Sequence, residues 1–158
     1  EDNTLDYWLP LPYYWHGNEP DIHAAYLFAA SGRPDLAQEW VRWIMDIHYD
    51  LGPEGLAGND DAGTLSAWYV WSAMGFYPLA GSDRYLVGTP AFERAVVHLP
   101  GGDLVVEAEG LERGHYVQSV EMNGAPLEVP WFAHDAISDG GTLTFVMGAE
   151  PSAWGSGY

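Results

Sequence analysis

The spacing of apolar residues changes near Pro78, and this change limits the fold more than any other sequence feature. Before it, apolar side chains recur at the three-to-four-residue spacing of amphipathic helices. After it, short alternating runs are separated by Gly, Pro and Asn, which is typical of antiparallel strands. Helices followed by strands predict an α+β fold. We therefore predict a helical part over residues 1–79 and a strand-rich part over residues 80–158.

Three helices are predicted in the first part. The first begins at Pro20, with Glu19 as its N-cap-like neighbour, and ends at Gly32, because Pro suits a first helical position and Gly ends helices. The second runs from Pro34 to about Tyr49, where apolar residues recur at helical spacing: Leu36, Trp40, Trp43, Ile44 and Ile47. The third, over residues 64–74, is apolar nearly all round, which indicates burial.

Five strands are predicted in the second part, where apolar and polar residues alternate. They are Tyr85–Val87, Ala95–Leu99, Leu104–Ala108, Tyr116–Met122 and Thr142–Met147. The pair Asn123-Gly124 is a strong hairpin-turn signal, and Gly101-Gly102 and Gly140-Gly141 are weaker ones.

The charge and the absence of cysteine exclude several functions. Five Arg and no Lys oppose 23 acidic residues, for a formal charge of −18, so we expect no nucleic-acid partner. Without Cys the fold cannot use disulfides, thiolate zinc sites or a thiol nucleophile. No apolar run approaches the ~20 residues of a membrane span. The eight Trp and ten Tyr exceed ordinary core needs and suit a sugar-binding cleft or a protein interface.

A first polar cluster lies at the entrance of the first helix, over residues 16–23. A zinc site would use His16, Glu19 and His23, but their spacing is not that of a helical zinc motif. Calcium suits Asn18 and Glu19 better, because it takes carboxylate and amide oxygens from loops. On the residues alone we favour a capping arrangement without any metal, in which Glu19 satisfies the first-turn N–H groups and the His side chains pack.

A second polar cluster, residues 58–64, precedes the third helix. Asp60 and Asp61 lie between glycines, and adjacent carboxylates repel, which tends to raise the pKa of one of them. A carboxylate that acts as a general base needs a pKa adjusted in this way. An ordinary helix N-cap explains the same residues, and the spacing leaves both interpretations open.

Aromatic residues around the third helix are expected in the core rather than on a sugar platform: Trp68, Tyr69, Trp71, Phe76 and Tyr77. Trp8 and Trp15 lie in a Pro-rich loop and are better candidates for a sugar platform.

Five strings occur in order along the chain: His16-Gly17-Asn18-Glu19-Pro20, Gly58-Asn59-Asp60-Asp61, Gly63-Thr64-Leu65-Ser66-Ala67-Trp68-Tyr69-Val70, Gly75-Phe76-Tyr77-Pro78 and Gly88-Thr89-Pro90. Together they resemble glycoside hydrolase family 92, the calcium-dependent exo-acting α-mannosidases. The resemblance implies an N-terminal β-sandwich packed on an (α/α)6 barrel. This chain would supply the last barrel helices and antiparallel strands that return to the sandwich.

The resemblance also implies a mechanism. The family inverts configuration at the anomeric carbon, so one carboxyl acts as an acid and another activates water. The resemblance assigns the role of general base to Asp61, with Asp60 as its polar partner. A Ca²⁺ ion in the family contacts mannose hydroxyls and helps distort the ring, which makes Asn18 and Glu19 the expected metal or substrate ligands.

Further expectations follow from the same resemblance. Substrate contacts are assigned to Trp15, His16 and Asn59, while His16 and His23 either touch the sugar or support groups that do. The general acid would lie upstream, so we expect these 158 residues to need the missing N-terminal part of the same enzyme. The expected substrate is a mannose-containing glycan, and the expected location is secreted or cell-surface, in a bacterium.

Two alternatives remain open. One is cleavage of mannose-1-phospho-6-mannose, because a phosphate leaving group needs little protonation. The other is a non-catalytic carbohydrate-binding or structural module that uses the aromatic rings alone.

Overall fold

A computed structural model describes residues 14–157 of the chain. Three helices come first: α1 (Ala24–Ala30), α2 (Pro34–His48) and α3 (Thr64–Ala73). Eight strands follow: β1 (Phe76–Pro78), β2 (Arg84–Val87), β3 (Arg94–Leu99), β4 (Gly102–Glu109), β5 (Tyr116–Met122), β6 (Ala125–Pro126), β7 (Trp131–Ala133) and β8 (Gly141–Gly148). The α+β class is confirmed. Of the helices within the described range, none has the length and apolar composition needed to cross a membrane.

The first helix begins later than its sequence pattern predicts. Pro20 opens a 3-10 turn over Glu19–Asp21, and α1 starts only after His23. Asn18, rather than Glu19, occupies the cap position: its carbonyl accepts the Asp21 N–H at 2.8 Å and its amide nitrogen donates to the Asp21 carboxylate at 2.8 Å. These short-range bonds favour a tight turn over an α-helical start.

The buried faces of α2 and α3 do not include all of their apolar residues. On α2, Ala37, Val41 and Ile44 are buried, whereas Trp40 and Ile47 are 36% and 57% exposed. On α3, one face is buried and Val70 is 57% exposed, so the expectation of burial on all sides is wrong for the part of the chain described. Apolar composition indicates which residues can be buried, but the neighbouring elements decide which are.

The strands form two sheets. One has the order β1-β2-β7, and the other has the order β3-β4-β8-β5-β6. All five predicted strands are present within two residues of their expected ends, and the short strands β1, β6 and β7 were missed. Asn123 and Gly124, with φ of 54° and 76°, join β5 to β6 in the predicted hairpin.

The prediction of purely antiparallel strands is wrong for β8. This strand lies between β4 and β5, pairing with β4 in parallel and with β5 antiparallel. Gly140-Gly141 therefore does not form a hairpin; with φ of 87° and 130°, these residues lead the chain into the centre of the sheet. A local turn signal does not indicate which strands pair, because the pairing depends on distant residues.

The core consists of two apolar clusters, one in the helical part and one in the strand-rich part. In the sheet, alternate residues of β8 (Leu143, Phe145 and Met147) are buried, as the period of a strand requires. In the helices, Tyr26 and Trp68 are fully buried. Leu86 of β2 belongs to this helical cluster, so the small sheet packs against both parts near the boundary predicted at residues 79–80.

A buried glutamine joins α2 to the larger sheet. The side-chain oxygen of Gln38, which is 2% exposed, accepts the backbone N–H of Val117 at 3.0 Å. Val117 is 1% exposed, so water cannot replace this acceptor without a structural change.

Replacing Gln38 with Leu should therefore destabilise the protein, because the Val117 N–H would stay buried without an acceptor. We expect a loss of roughly 1–3 kcal/mol in the free energy of unfolding, measured with urea. The matched control is Glu39→Leu at the next, exposed position, with an expected change within about 0.5 kcal/mol. Equal losses in the two variants would contradict the assigned role of Gln38.

A neutral histidine lies at the centre of the helical core. His16 is 0% exposed, and both of its ring nitrogens are hydrogen-bonded, to the hydroxyls of Tyr14 at 2.6 Å and Tyr49 at 2.7 Å. Burial, with a smaller contribution from neighbouring His48, lowers the pKa of His16 to about 3. An unfolded chain returns this pKa to its ordinary value near 6.5.

Stability should consequently fall below pH 6.5, because the unfolded chain binds a proton on His16 that the folded protein does not accept. This contribution is absent above that pH and reaches roughly 2 kcal/mol at pH 5. In NMR titrations, the His16 ring signals of the folded protein should stay constant between pH 8 and pH 5. The control is the urea-unfolded protein, in which the same ring should titrate. A folded-state midpoint near pH 6 would contradict the neutral buried state.

Candidate functional site

Two loops that precede helices meet through their glycines. A Cβ atom on Gly58 would lie 3.1 Å from the Gly17 Cα, and one on Gly17 would lie 2.5 Å from the carbonyl oxygen of Ala57. A side chain at Gly17 would collide with this carbonyl, and one at Gly58 would fit only if the backbone around Gly17 shifted slightly. The structure therefore brings the His16–His23 cluster beside the Gly58–Thr64 cluster, although some 40 residues separate them in sequence.

The two adjacent aspartates of the second cluster have different environments. The Asp60 carboxylate accepts the backbone N–H of Ser66 at 2.8 Å, and the Asp60 carbonyl accepts the N–H of Thr64 at 2.7 Å. Gly63 occupies the N-cap position of α3, and Asp60, three residues earlier, accepts N–H groups of the first turn in the manner of a cap. The capping interpretation therefore describes the Asp60 side chain.

Asp61 lies at the outside of a left-handed turn. Its φ is 48°, and Ala62 and Gly63 follow with φ of 60° and 93°. Non-glycine residues rarely adopt this conformation, which costs on the order of 1–3 kcal/mol where it is maintained. The hydroxyl of Thr64 donates to the Asp61 carbonyl at 2.7 Å, while the Asp61 side chain is exposed. This carboxylate can therefore accept a proton from a water or sugar hydroxyl.

Asn18 and Glu19 provide oxygen atoms on the first loop, directly after Gly17, whose backbone meets the second loop. The side-chain nitrogen of Asn18 donates to Asp21, so the side-chain oxygen of Asn18 is the atom that could bind a ligand. The side chain of Glu19 is exposed. Calcium takes six to eight oxygen ligands. Among residues 14–157, no group of three or more acidic or histidine side chains is arranged to hold a metal. The donors present fit one part of a calcium shell, and the remainder would come from elsewhere.

The predicted substrate contacts fall into three environments. Trp15 is 40% exposed, and its indole nitrogen would lie 2.7 Å from a Cβ on Gly17, so the ring borders the contact between the two loops. Asn59 is exposed on the second loop. His16 is buried with both nitrogens engaged, which favours a supporting role and leaves no ring nitrogen for zinc. Trp8 lies outside the described residues.

The remaining aromatic predictions agree largely with the structure. Trp68 and Phe76 are fully buried, and Tyr69, Trp71 and Tyr77 are half-buried. The Trp68 indole donates to the carbonyl of Ile22 at 2.7 Å, which attaches α3 to the segment before α1. His23 is half-buried in that segment, and its carbonyl accepts the N–H of Tyr26 at 3.0 Å.

Tyr49, at the end of α2, was not identified from the sequence. Its hydroxyl lies 2.7 Å from the His16 ring and 3.0 Å from the carbonyl oxygen of Leu65, in the first turn of α3. Burial raises the pKa of this hydroxyl, which stays protonated. The sequence shows only that a Tyr follows an amphipathic helix. It does not indicate the partners of this hydroxyl, because they lie 33 and 16 residues away.

An open cleft of about 460 Å³ adjoins the start of α3. It is lined by Tyr49, Asp50, Leu51, Gly55, Leu56, Ser66, Tyr69 and Val70. Ser66 connects this cleft to the candidate site, because its N–H binds the Asp60 carboxylate.

Comparisons with known proteins find relatives of similar sequence and similar structure. A curated relative from Arthroderma benhamiae, named uncharacterized secreted glycosidase, is 30% identical over 158 residues, covering 97% of this chain and 20% of that protein. The family GH92 α-mannosidase BT3965 from Bacteroides thetaiotaomicron, solved with mannoimidazole, is 38% identical with a TM-score of 0.86, covering 90% of this chain and 19% of that chain.

A second solved structure, the family GH92 inverting mannosidase BT2199 from the same organism, is 38% identical with a TM-score of 0.81. It is matched over 90% of this chain and 20% of its own length. The present chain thus spans about a fifth of the length of these relatives. The family model described as Glycosyl hydrolase family 92 catalytic domain matches residues 4–149. Because that match includes nearly the whole sequence and both loops of the candidate site, the chain belongs to glycoside hydrolase family 92.

Proposed function

We propose that this chain supplies the general base of an inverting, calcium-dependent α-mannosidase, and that Asp61 is that base. The observation that carries the proposal is the division of roles between the two aspartates. Asp60 is engaged by the Ser66 N–H, whereas Asp61 is exposed on a strained turn of the loop that meets Gly17 through Ala57 and Gly58. Family membership supports the reaction type, because one related structure is named an inverting mannosidase.

In this mechanism, the Asp61 carboxylate binds a water molecule and removes its proton as the water attacks the anomeric carbon. The leaving group departs from the opposite face, so configuration inverts. The general acid of such a pair is a second carboxyl roughly 6.5–9.5 Å away. We assign it to sequence outside these residues, so the chain works as part of a larger active site.

Asn18 and Glu19 would hold the calcium ion through their side-chain oxygens, together with ligands from outside this chain. A bound Ca²⁺ ion would coordinate hydroxyl oxygens of the sugar and favour a distorted sugar ring. Trp15 would stack against a sugar face, and Asn59 would hydrogen-bond a hydroxyl.

The substrate in this proposal is a terminal α-mannoside of an oligosaccharide or N-glycan. Related structures named α-mannosidases support this choice. A secreted or cell-surface location is compatible with the name of the Arthroderma benhamiae relative.

Replacing Asp61 with Asn should remove the base while keeping the turn, because Asn tolerates the left-handed conformation. In the complete enzyme we expect kcat on an α-mannoside to fall roughly 10²–10⁴-fold, with KM little changed. The adjacent control is Asp60→Asn, which preserves the helix cap because Asn caps as well as Asp does. Its expected loss is less than about 10-fold, well below the range for a lost base.

Full activity of the Asp61→Asn enzyme would remove the base assignment. If the complete wild-type enzyme binds mannose-containing glycans without releasing mannose, the result would instead favour a carbohydrate-binding module.

Removal of calcium with a chelator should abolish the activity, and added Ca²⁺ should restore it. Glu19→Gln should require about 10-fold more calcium for half-maximal activity, because one charged ligand is lost. Calorimetry provides a second readout, as Ca²⁺ affinity should weaken by the same factor. The control is Glu54→Gln, an exposed carboxylate on a different loop, which should leave both values unchanged. Activity that survives the chelator would exclude the calcium requirement.

A further inference from the structure

We infer that Tyr49 is a positioning residue for the proposed base, because its hydroxyl ties the start of α3 to the loop that carries Asn18 and Glu19. The inference rests on the proposed function of Asp61. Tyr49 is not placed in contact with substrate, so its effect would act through the residues that it holds.

The hydrogen bonds form a directed chain. Tyr49 has one hydroxyl proton, which it donates to the Leu65 carbonyl oxygen at 3.0 Å. Toward His16 the same hydroxyl must therefore act as an acceptor, so the proton lies on the Nε2 atom of His16. The Nδ1 atom of the neutral ring is then an acceptor, and the Tyr14 hydroxyl donates to it at 2.6 Å.

The direction of the Tyr49 hydroxyl is set by ring packing. The Tyr49 ring stacks on Trp68 with an interplanar angle of 4° and a centroid distance of 5.7 Å. Trp68 also meets His16 edge-on at 4.4 Å. Because Trp68 is fully buried, neither partner can rotate without opening the helical core.

Leu65 connects this chain of bonds to the aspartates. Its N–H donates to the Asp60 carbonyl at 3.3 Å, and the next residue, Ser66, binds the Asp60 carboxylate. The Leu65 carbonyl is the group that Tyr49 holds. The first turn of α3 is thus attached to Asp60 through its N–H groups and to Tyr49 through a carbonyl.

The other end of the chain reaches the opposite loop. His16 directly precedes Gly17, whose backbone packs against Ala57 and Gly58. The Tyr49 hydroxyl therefore restrains the separation between the Asn18–Glu19 loop and the Asp60–Asp61 turn. Catalysis is sensitive to this separation, since a displacement of about 1 Å can cost roughly 100-fold in rate.

The test compares Tyr49→Phe with Tyr26→Phe in the complete enzyme. The Tyr26 hydroxyl is also buried and also binds α3, but at Ser72, in the second half of the helix. Each variant removes one hydroxyl and keeps the ring, and melting curves are measured to establish that both are folded at the assay temperature. We expect kcat to fall about 10-fold or more in Tyr49→Phe, with KM little changed, and to stay near wild type in Tyr26→Phe.

Amide hydrogen exchange gives a readout independent of the reaction. In Tyr49→Phe, exchange at residues 64–66 should increase roughly 10-fold, while Tyr26→Phe should leave those amides unchanged. Unchanged exchange in Tyr49→Phe would overturn the inference, whatever reaction the enzyme catalyses. Increased exchange with kcat within twofold of wild type would also overturn it, because the hydroxyl would then be structural only.

Failure of the proposed function gives a different pattern. A fully active Asp61→Asn enzyme would reject Asp61 as base and with it the positioning of that base. Increased exchange in Tyr49→Phe would then support only the physical tie between the two loops.

Discussion

The backbone contact between Gly17 and the Ala57–Gly58 segment is the constraint on which the candidate site depends. It favours glycine at both positions, because a Cβ atom at Gly17 would clash with the Ala57 carbonyl oxygen at 2.5 Å and one at Gly58 would be tight against the Gly17 Cα at 3.1 Å. The two loops carry different chemistry, amide and carboxylate oxygens on one and paired aspartates on the other. Their close approach converts two local helix-entry motifs into one polar surface.

That contact is maintained by a core in which several buried polar groups are hydrogen-bonded. The Trp68 indole binds a carbonyl, Tyr26 binds Ser72, and His16 bridges two tyrosine hydroxyls. Buried polar groups stabilise a single arrangement only when every partner is present, since an unpaired group is costly in a low-dielectric interior. The neutral state of His16 belongs to this arrangement, because the direction of its two hydrogen bonds requires one donor and one acceptor nitrogen.

The strand-rich part supports the helices from one side. Gln38 of α2 binds Val117 of β5, and Leu86 of β2 packs among the helical residues. The helices that carry the candidate site are thus attached to a sheet in which β8 inserts between β4 and β5. On the side away from the sheet contacts described above, Ile47 of α2 and Val70 of α3 are exposed.

The sequence by itself determined the α+β class, the second and third helices, five strands and the Asn123-Gly124 turn, because these depend on local periodicity and local backbone preference. It also identified the two polar clusters and the family. Only the tertiary structure decided that Asp60 acts in the manner of a cap and Asp61 is the exposed carboxylate, that His16 is buried, and that Tyr49 joins the two loops. The parallel pairing of β8 was likewise not predictable from local pattern. In each case the deciding contact joins residues distant in sequence or depends on how the chain turns in space, and local pattern carries little information about either.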